Sequence, residues 1–123
     1  MFEFKINSKR NAVLCVLEGQ FDADEARQYT DRFKEACDQL QPGFTIISDL
    51  RKFSPAQDDA REILQEGIQY ALDKERGRAF RIVNESVGSQ VGNLQLNRSA
   101  RQMGYEVEVV NSMDAVKWAM GWD

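Results

Sequence analysis

The chain contains no histidine among its 123 residues. That absence removes Ser-His-Asp and Cys-His catalysis, in which an imidazole carries the proton. It also removes the commonest transition-metal ligand. Cysteine is scarce: Cys15 and Cys37 are the two. Both sit inside apolar patterns, one on an expected strand and one on an expected helix, as buried thiols of a cytoplasmic protein do. Cys15 makes a poor nucleophile there, because an apolar site raises a thiol pKa. No apolar run approaches the ~20 residues that span a bilayer. Met1 to Lys5 lacks the basic start and apolar middle of a secretory signal, so the expected location is the cytoplasm. A clustered basic face is missing too, at a net charge of −4. The densest basic group, Lys74, Arg76, Arg78 and Arg81, is preceded by Asp73 and interrupted by Glu75. It reads as a solvated helix end, and no nucleic-acid surface is expected.

What is present describes an ordinary globular chain, 42% apolar and 29% charged. Its length suits one domain over 1–123. Such a domain buries roughly two-thirds of the surface its unfolded chain exposes, enough for a core without metals or disulfides.

Phe2, Phe4 and Ile6 alternate with polar residues, predicting a half-exposed edge strand. After the polar turn Ser8 to Asn11, Ala12 to Leu17 is continuously apolar, as in a strand covered on both faces. The two predict an antiparallel hairpin. Asp22 with Glu25 forms a capping box. Ala26, Tyr29, Phe33, Ala36, Cys37 and Leu40 follow at helical spacing, and Pro42-Gly43 stops that helix. Phe44 to Leu50 is a second buried strand, with Asp49 at its end. Ser54 is the expected N-cap of the next helix and Pro55 its first residue. Its apolar stripe is Ala60, Ile63, Leu64, Gly67, Ile68, Ala71 and Leu72. Ala79 to Val83 is a third core strand. A helix from about Ser86 to Met103 ends at Gly104, Tyr105 to Val110 is the last strand, and Ser112 caps a final helix. Trp118 and Trp122 lie one helical turn apart on it, one for the core and one for the rim; an exposed pair would point to a homodimer contact. The order β-β-α-β-α-β-α-β-α predicts a mixed, mostly parallel sheet with an antiparallel first strand and helices on both faces.

The segment from Asp49 to Asp59 holds the main candidate site. Partners of open α/β sheets bind outside strand C-termini and at helix N-termini. Asp58 and Asp59 fall in the first turn of the expected helix, where the helix dipole stabilises a carboxylate by ~0.3–1 kcal/mol. That local effect is one reading of them; partner recognition is the other. Asp49 reads as a cap of the following loop or as a carboxylate with chemistry of its own. A Mg²⁺-dependent phosphoacceptor would need further acids and a lysine that the chain does not supply at suitable spacing. Asn84, Ser86, Gly88 and Ser89 follow the third core strand. They present backbone N–H groups to an anion, or they form a tight turn before a helix that Gly92 lets pack closely. The pattern is not a Walker or dinucleotide loop, and Glu85 would repel phosphate. In this architecture the two loops lie side by side.

The order of elements, with several local pieces, resembles the STAS domain family, which includes bacterial anti-sigma-factor antagonists and the cytoplasmic domains of sulphate transporters. The pieces are Val16-Leu17-Glu18-Gly19-Gln20-Phe21-Asp22 entering the first helix and Ile46-Ile47-Ser48-Asp49-Leu50 before the second. Arg81-Ile82-Val83, Gly104-Tyr105 and Ala115-Val116-Lys117-Trp118 follow later. In the family's partner-switching antagonists, Asp-Ser-Ser-Gly-Leu opens the second helix, and a kinase that is also the anti-sigma factor phosphorylates a serine there. Counted from Asp49-Leu50 without a gap, the serines fall on Asp58 and Asp59 and the glycine on Ala60. A carboxylate carries about −1 charge against about −1.5 to −2 for phosphoserine, so the site would mimic the modified state or lack the switch. A different loop length would make Ser54 the acceptor.

The resemblance implies a non-enzymatic protein-protein interaction module with a regulatory role, without cofactor or metal. Its partner would be a protein of the kinase or sigma-regulator type. The site residues are Asp49, Ser54, Asp58, Asp59, Asn84, Ser86, Gly88 and Ser89. The alternatives are a small-ligand module for a lipid or nucleotide, and a hydrolase using Asp49.

Overall fold

The computed structural model describes residues 1–102 and 106–122, with side chains at 1–98 and 106–122. The alternating N-terminal pattern forms strand β1 (Phe2–Asn7), antiparallel to β2 (Ala12–Gly19), with Phe4 opposite Cys15. Asn11 takes φ 53° in the turn between them, a conformation asparagine tolerates better than most residues. Helix α1 (Ala23–Asp38) begins where expected: the Asp22 side chain accepts the Glu25 N–H at 2.9 Å. The capping box is only half formed, because the Glu25 carboxylate pairs with the Met1 ammonium.

Strand β3 spans Thr45–Phe53, three residues beyond the expected end at Leu50. The added length pairs with β2 past an irregularity between Val16 and Glu18, with Gly19 beside Phe53. Asp49 therefore lies mid-strand and does not end it. Helix α2 (Asp58–Asp73), β4 (Ala79–Ile82), α3 (Val87–Gln102), β5 (Glu108–Val110) and α4 (Met113–Met120) complete the chain. The expected end of α3 at Met103 and Gly104, and the expected start of β5 at Tyr105, lie outside the described residues. The strand order is β1-β2-β3-β4-β5, parallel throughout except for β1.

The two faces are covered unequally. Val13, Cys15, Leu17, Ile46 and Leu50 pack under α1, α2 and α3 through Phe33, Leu64, Leu96 and their neighbours. On the opposite face Ile47, Phe80 and Ile82 meet Val116 of α4. Trp122 packs half-buried against this second cluster, with the Arg10 guanidinium 4.9 Å from its ring centroid. Trp118 is 88% exposed, so the two tryptophans do not form one exposed pair.

The basic group divides. Lys74 and Arg78 are exposed and pair with Asp38 at 3.2 Å and Glu108 at 2.6 Å. Arg81 is buried and belongs to no solvated helix end. Its position on β4 points it under α3, where it donates to the Asn97 and Asn93 side-chain carbonyls. Strand alternation decides this, since Arg81 pairs in register with Ser48 on the face under α1, α2 and α3. Both cysteines are buried free thiols. Burial pushes the Cys15 thiol far up, and it pushes Cys37 up to about 12.

Candidate functional site

The loop 54–57 joins β3 to α2 and is held extended from three sides. The Ser54 N–H donates to the Gly19 carbonyl at 3.0 Å, prolonging the strand pairing. Gln95 of α3 grips both backbone groups of Ala56: its side-chain carbonyl accepts the Ala56 N–H at 2.8 Å, and its amide donates to the Ala56 carbonyl at 2.9 Å. Gln20 donates to the Pro55 carbonyl at 3.1 Å. A backbone fixed this way cannot turn into helix before Gln57. Ser54 therefore does not cap α2; the N-cap is Gln57, without a side-chain cap bond. Neither Gln20 nor Gln95 stood out in the sequence. Gln95 acts across 39 positions, and one glutamine on a helix carries no local signal of that.

Asp58 and Asp59 occupy the first turn of α2, and both are exposed. The Asp59 carboxylate accepts the Ala60 N–H at 2.8 Å. The next loop is braced by its own side chains. Asn84 donates to the Arg51 carbonyl at 3.0 Å and accepts the Ser86 N–H at 2.9 Å. The Ser86 hydroxyl accepts the Ser89 N–H at 3.2 Å, capping α3. Ser89 is wholly buried and accepts the Asn84 N–H at 3.2 Å. Ser86 and Ser89 thus spend hydroxyl lone pairs on the loop itself.

Two glycines bring the loops together. A Cβ on Gly88 would lie 3.3 Å from the Ser54 hydroxyl oxygen, and one on Gly92 would lie 2.5 Å from the Phe53 ring. The close packing at Gly92 is as expected, and it seats α3 against Phe53 to Ala56. Ser54, Gly88 and the start of α2 therefore share one edge of the molecule.

Asp49 stands apart. It shares strand parity with Ile47 and pairs in register with Ile82, both in the cluster under α4. Asp58 and Asp59 open α2, on the opposite side of the sheet. Asp49 accepts from the Arg51 N–H at 3.1 Å and from the Arg51 guanidinium at 3.0 and 2.7 Å. The guanidinium holds its carboxyl below the usual carboxylate range. A carboxylate so engaged is a charged structural anchor, the reverse of a general acid. Among the described residues no group of three or more cysteines or acids could hold a metal ion.

Concave space is of two kinds. Between the sheet and the helices lies a mostly apolar cavity of about 50 Å³, lined by Phe33, Leu64, Leu96 and Arg81 among others. Ligand pockets ordinarily need about 300–1,000 Å³. An open concavity of about 880 Å³ lies beyond the ends of β4 and β5, lined by Asn84, Glu85, Gln90, Leu94, Val109 and Asn111.

A short-edged mixed sheet in sequential order, with its first strand antiparallel and its helices split unequally between the faces, is a STAS fold. Among solved structures the chain is similar to the anti-sigma factor antagonist SpoIIAA in its unphosphorylated form. The TM-score is 0.65 at 14% identity, covering 98% of this chain and 99% of that one. No family model matches the chain, and no curated protein matches it. At that identity the likeness shows the fold. No helix among the described residues is long and apolar enough to cross a membrane.

Proposed function

We propose that this chain is a non-enzymatic, regulatory protein-protein interaction module of the cytoplasm. Its docking edge is formed by Ser54, Asp58 and Asp59 together with the loop of Asn84, Ser86 and Gly88. The observation that carries the reading is the rigid juxtaposition of these two loops, clamped by Gln95 on Ala56 and by Asn84 on the Arg51 carbonyl. Two exposed carboxylates stand at its rim. A pre-ordered edge loses little entropy on docking, and fixed surface charge selects partners and speeds encounter. The apolar cavity between the sheet and the helices holds only about 50 Å³, and the concavity of about 880 Å³ beyond β4 and β5 lies open to solvent, which favours this reading over a carrier that encloses a lipid or nucleotide. The anchoring of Asp49 by Arg51 favours it over an Asp49 hydrolase.

On the resemblance to partner-switching antagonists, Asp58 and Asp59 stand where a phosphorylatable serine would be. The edge then carries permanent negative charge and binds its partner without a phosphorylation switch. The partner expected from that resemblance is a protein of the kinase or sigma-regulator type. The test is affinity capture from the source cell with the wild-type chain and with Asp58→Lys/Asp59→Lys as parallel baits, captured proteins being identified by mass spectrometry. A defined protein retained by the wild type and lost by the variant supports the reading. Equal retention by both, or no specific protein on either, refutes it.

A further inference from the structure

Helix α3 carries a second apolar stripe that the core does not use. Its inner face is accounted for by Ser89, Gly92, Asn93 and Leu96, all buried. At 100° per residue, Val87, Val91, Leu94 and Arg98 fall together on the opposite side. Val87 is 77%, Val91 44% and Leu94 62% exposed. Their spacing of four, three and four residues is that of a coiled-coil seam, narrower than the stripe of a helix lying on a core. Gly88, Gly92 and Gln95, which face Phe53 to Ala56, lie about a quarter turn round the helix. The seam therefore runs along a different face of α3 from the docking edge proposed above and adjoins it only at the 84–88 loop.

We infer that this seam is a homodimer contact, in which α3 of one chain packs antiparallel on α3 of a second copy. Charge chooses the occupant and its direction. An exposed acid, Glu85, stands in the loop just before α3 and lines the same concavity as Leu94, and an exposed base, Arg98, ends the seam. A parallel pair would set Glu85 against Glu85 and Arg98 against Arg98. An antiparallel pair brings Arg98 of each copy to Val87 and Glu85 of the other, with its stem on the valine and its head by the carboxylate. The order four-three-four is also the same read from either end. The two-fold axis then passes between Gly92 and Asn93, and Val91 of each chain meets Leu94 of the other. Such self-complementarity is what a two-fold interface between identical chains requires. Val109 of β5, 49% exposed, extends the apolar surface on one flank. With three exposed apolar anchors per helix the contact is small, so the dimer forms reversibly as concentration rises.

Sedimentation velocity of the full chain over a concentration series tests this. The wild type is expected to move from the mass of one chain toward two. Leu94→Glu is expected to remain monomeric throughout. Glu85→Arg is expected to weaken the dimer at least tenfold, and Glu85→Arg/Arg98→Glu to restore it. These side chains are exposed, and circular dichroism checks that each variant is folded. A wild type that stays monomeric at its highest soluble concentration overturns the inference. So does a dimer that survives Leu94→Glu, including one lost instead in Trp118→Ala, which would put the contact on α4. Failure of the charge swap to restore association overturns the antiparallel arrangement. Leu94→Glu leaves the docking edge intact, so partner capture by that variant separates failure of the seam from failure of the docking edge, whereas Glu85→Arg lies within the 84–88 loop and is read only for association of the chain with itself.

Discussion

Replacing Gly92 by alanine drives a methyl group into Phe53. A Cβ on Gly92 falls 2.5 Å from one edge carbon of that ring and 2.9 Å from the next. An unstrained carbon contact needs about 3.5–4.0 Å. Phe53 is 1% exposed and its ring stands edge-on to Phe21 at 5.8 Å between centroids, so it has no free volume to enter. Overpacking of this kind costs about 1–3 kcal/mol, and so deep an overlap belongs in the upper half of that range. Alanine returns about 1 kcal/mol of helix propensity. The expected net loss is about 1–2 kcal/mol, at about 4 °C per kcal/mol for a domain of this size. Gly67→Ala is the control. There a Cβ meets one Phe33 ring carbon at 3.2 Å, and the next nearest atoms, at 3.7 and 3.8 Å, are at ordinary contact distance. That variant is expected to be neutral or stabilised by up to about 1 kcal/mol. Urea denaturation of both variants reads the difference. Hydrogen exchange adds a local readout, because levering α3 off Phe53 weakens the Gln95 bonds and speeds exchange of the Ala56 amide. A Gly92→Ala protein as stable as the wild type, with Ala56 exchange unchanged, would refute the reasoning.

Further outcomes follow from single contacts. Gln95→Ala leaves the Ala56 N–H and carbonyl without their partners and is expected to cost about 1–3 kcal/mol in urea denaturation. Arg51→Met removes the cation that lowers the Asp49 pKa. A depressed carboxyl stabilises the fold above its unfolded pKa of about 3.9 and loses that contribution as pH falls through the lower folded value. The variant is expected to be less stable by up to about 1 kcal/mol at neutral pH, the difference closing below about pH 4; a pH series of denaturation midpoints measures it. Cys15 and Cys37 are expected to resist a thiol-specific reagent at pH 8 in the native chain and to react at once in urea; rapid native labelling would contradict their burial.

Much of this architecture can be read locally. The Asp22 cap, the alternation of β1, the apolar run of β2 and the stripe of α2 each need only neighbours within a helical turn or a strand. The failures need distant partners. Ser54 reads as an N-cap, but Gln95 and Gly19 hold the following backbone extended until Gln57. Asp49 reads as a strand end because charged residues follow it, yet pairing with Glu18 and Gly19 carries β3 on to Phe53. Arg81 reads as part of a basic cluster because sequence distance hides the sheet face on which it stands. The closeness of the two candidate loops was legible from topology. The covering of Ser89 and the seating of Asp49 on the other face depend on packing and register.

The central claim is that the charge of Asp58 and Asp59 directs partner binding. It is tested most directly by the dissociation constant of the captured partner for the wild-type chain and for Asp58→Lys/Asp59→Lys, in low and physiological salt. The account requires a basic partner surface opposite the two carboxylates; lysines there bring like charges together at a cost of several kcal/mol, so the variant is expected to bind about 100-fold more weakly or worse. Added salt should narrow the gap. Affinities within about twofold of each other, a difference well under 1.4 kcal/mol, at both salt concentrations would contradict the account.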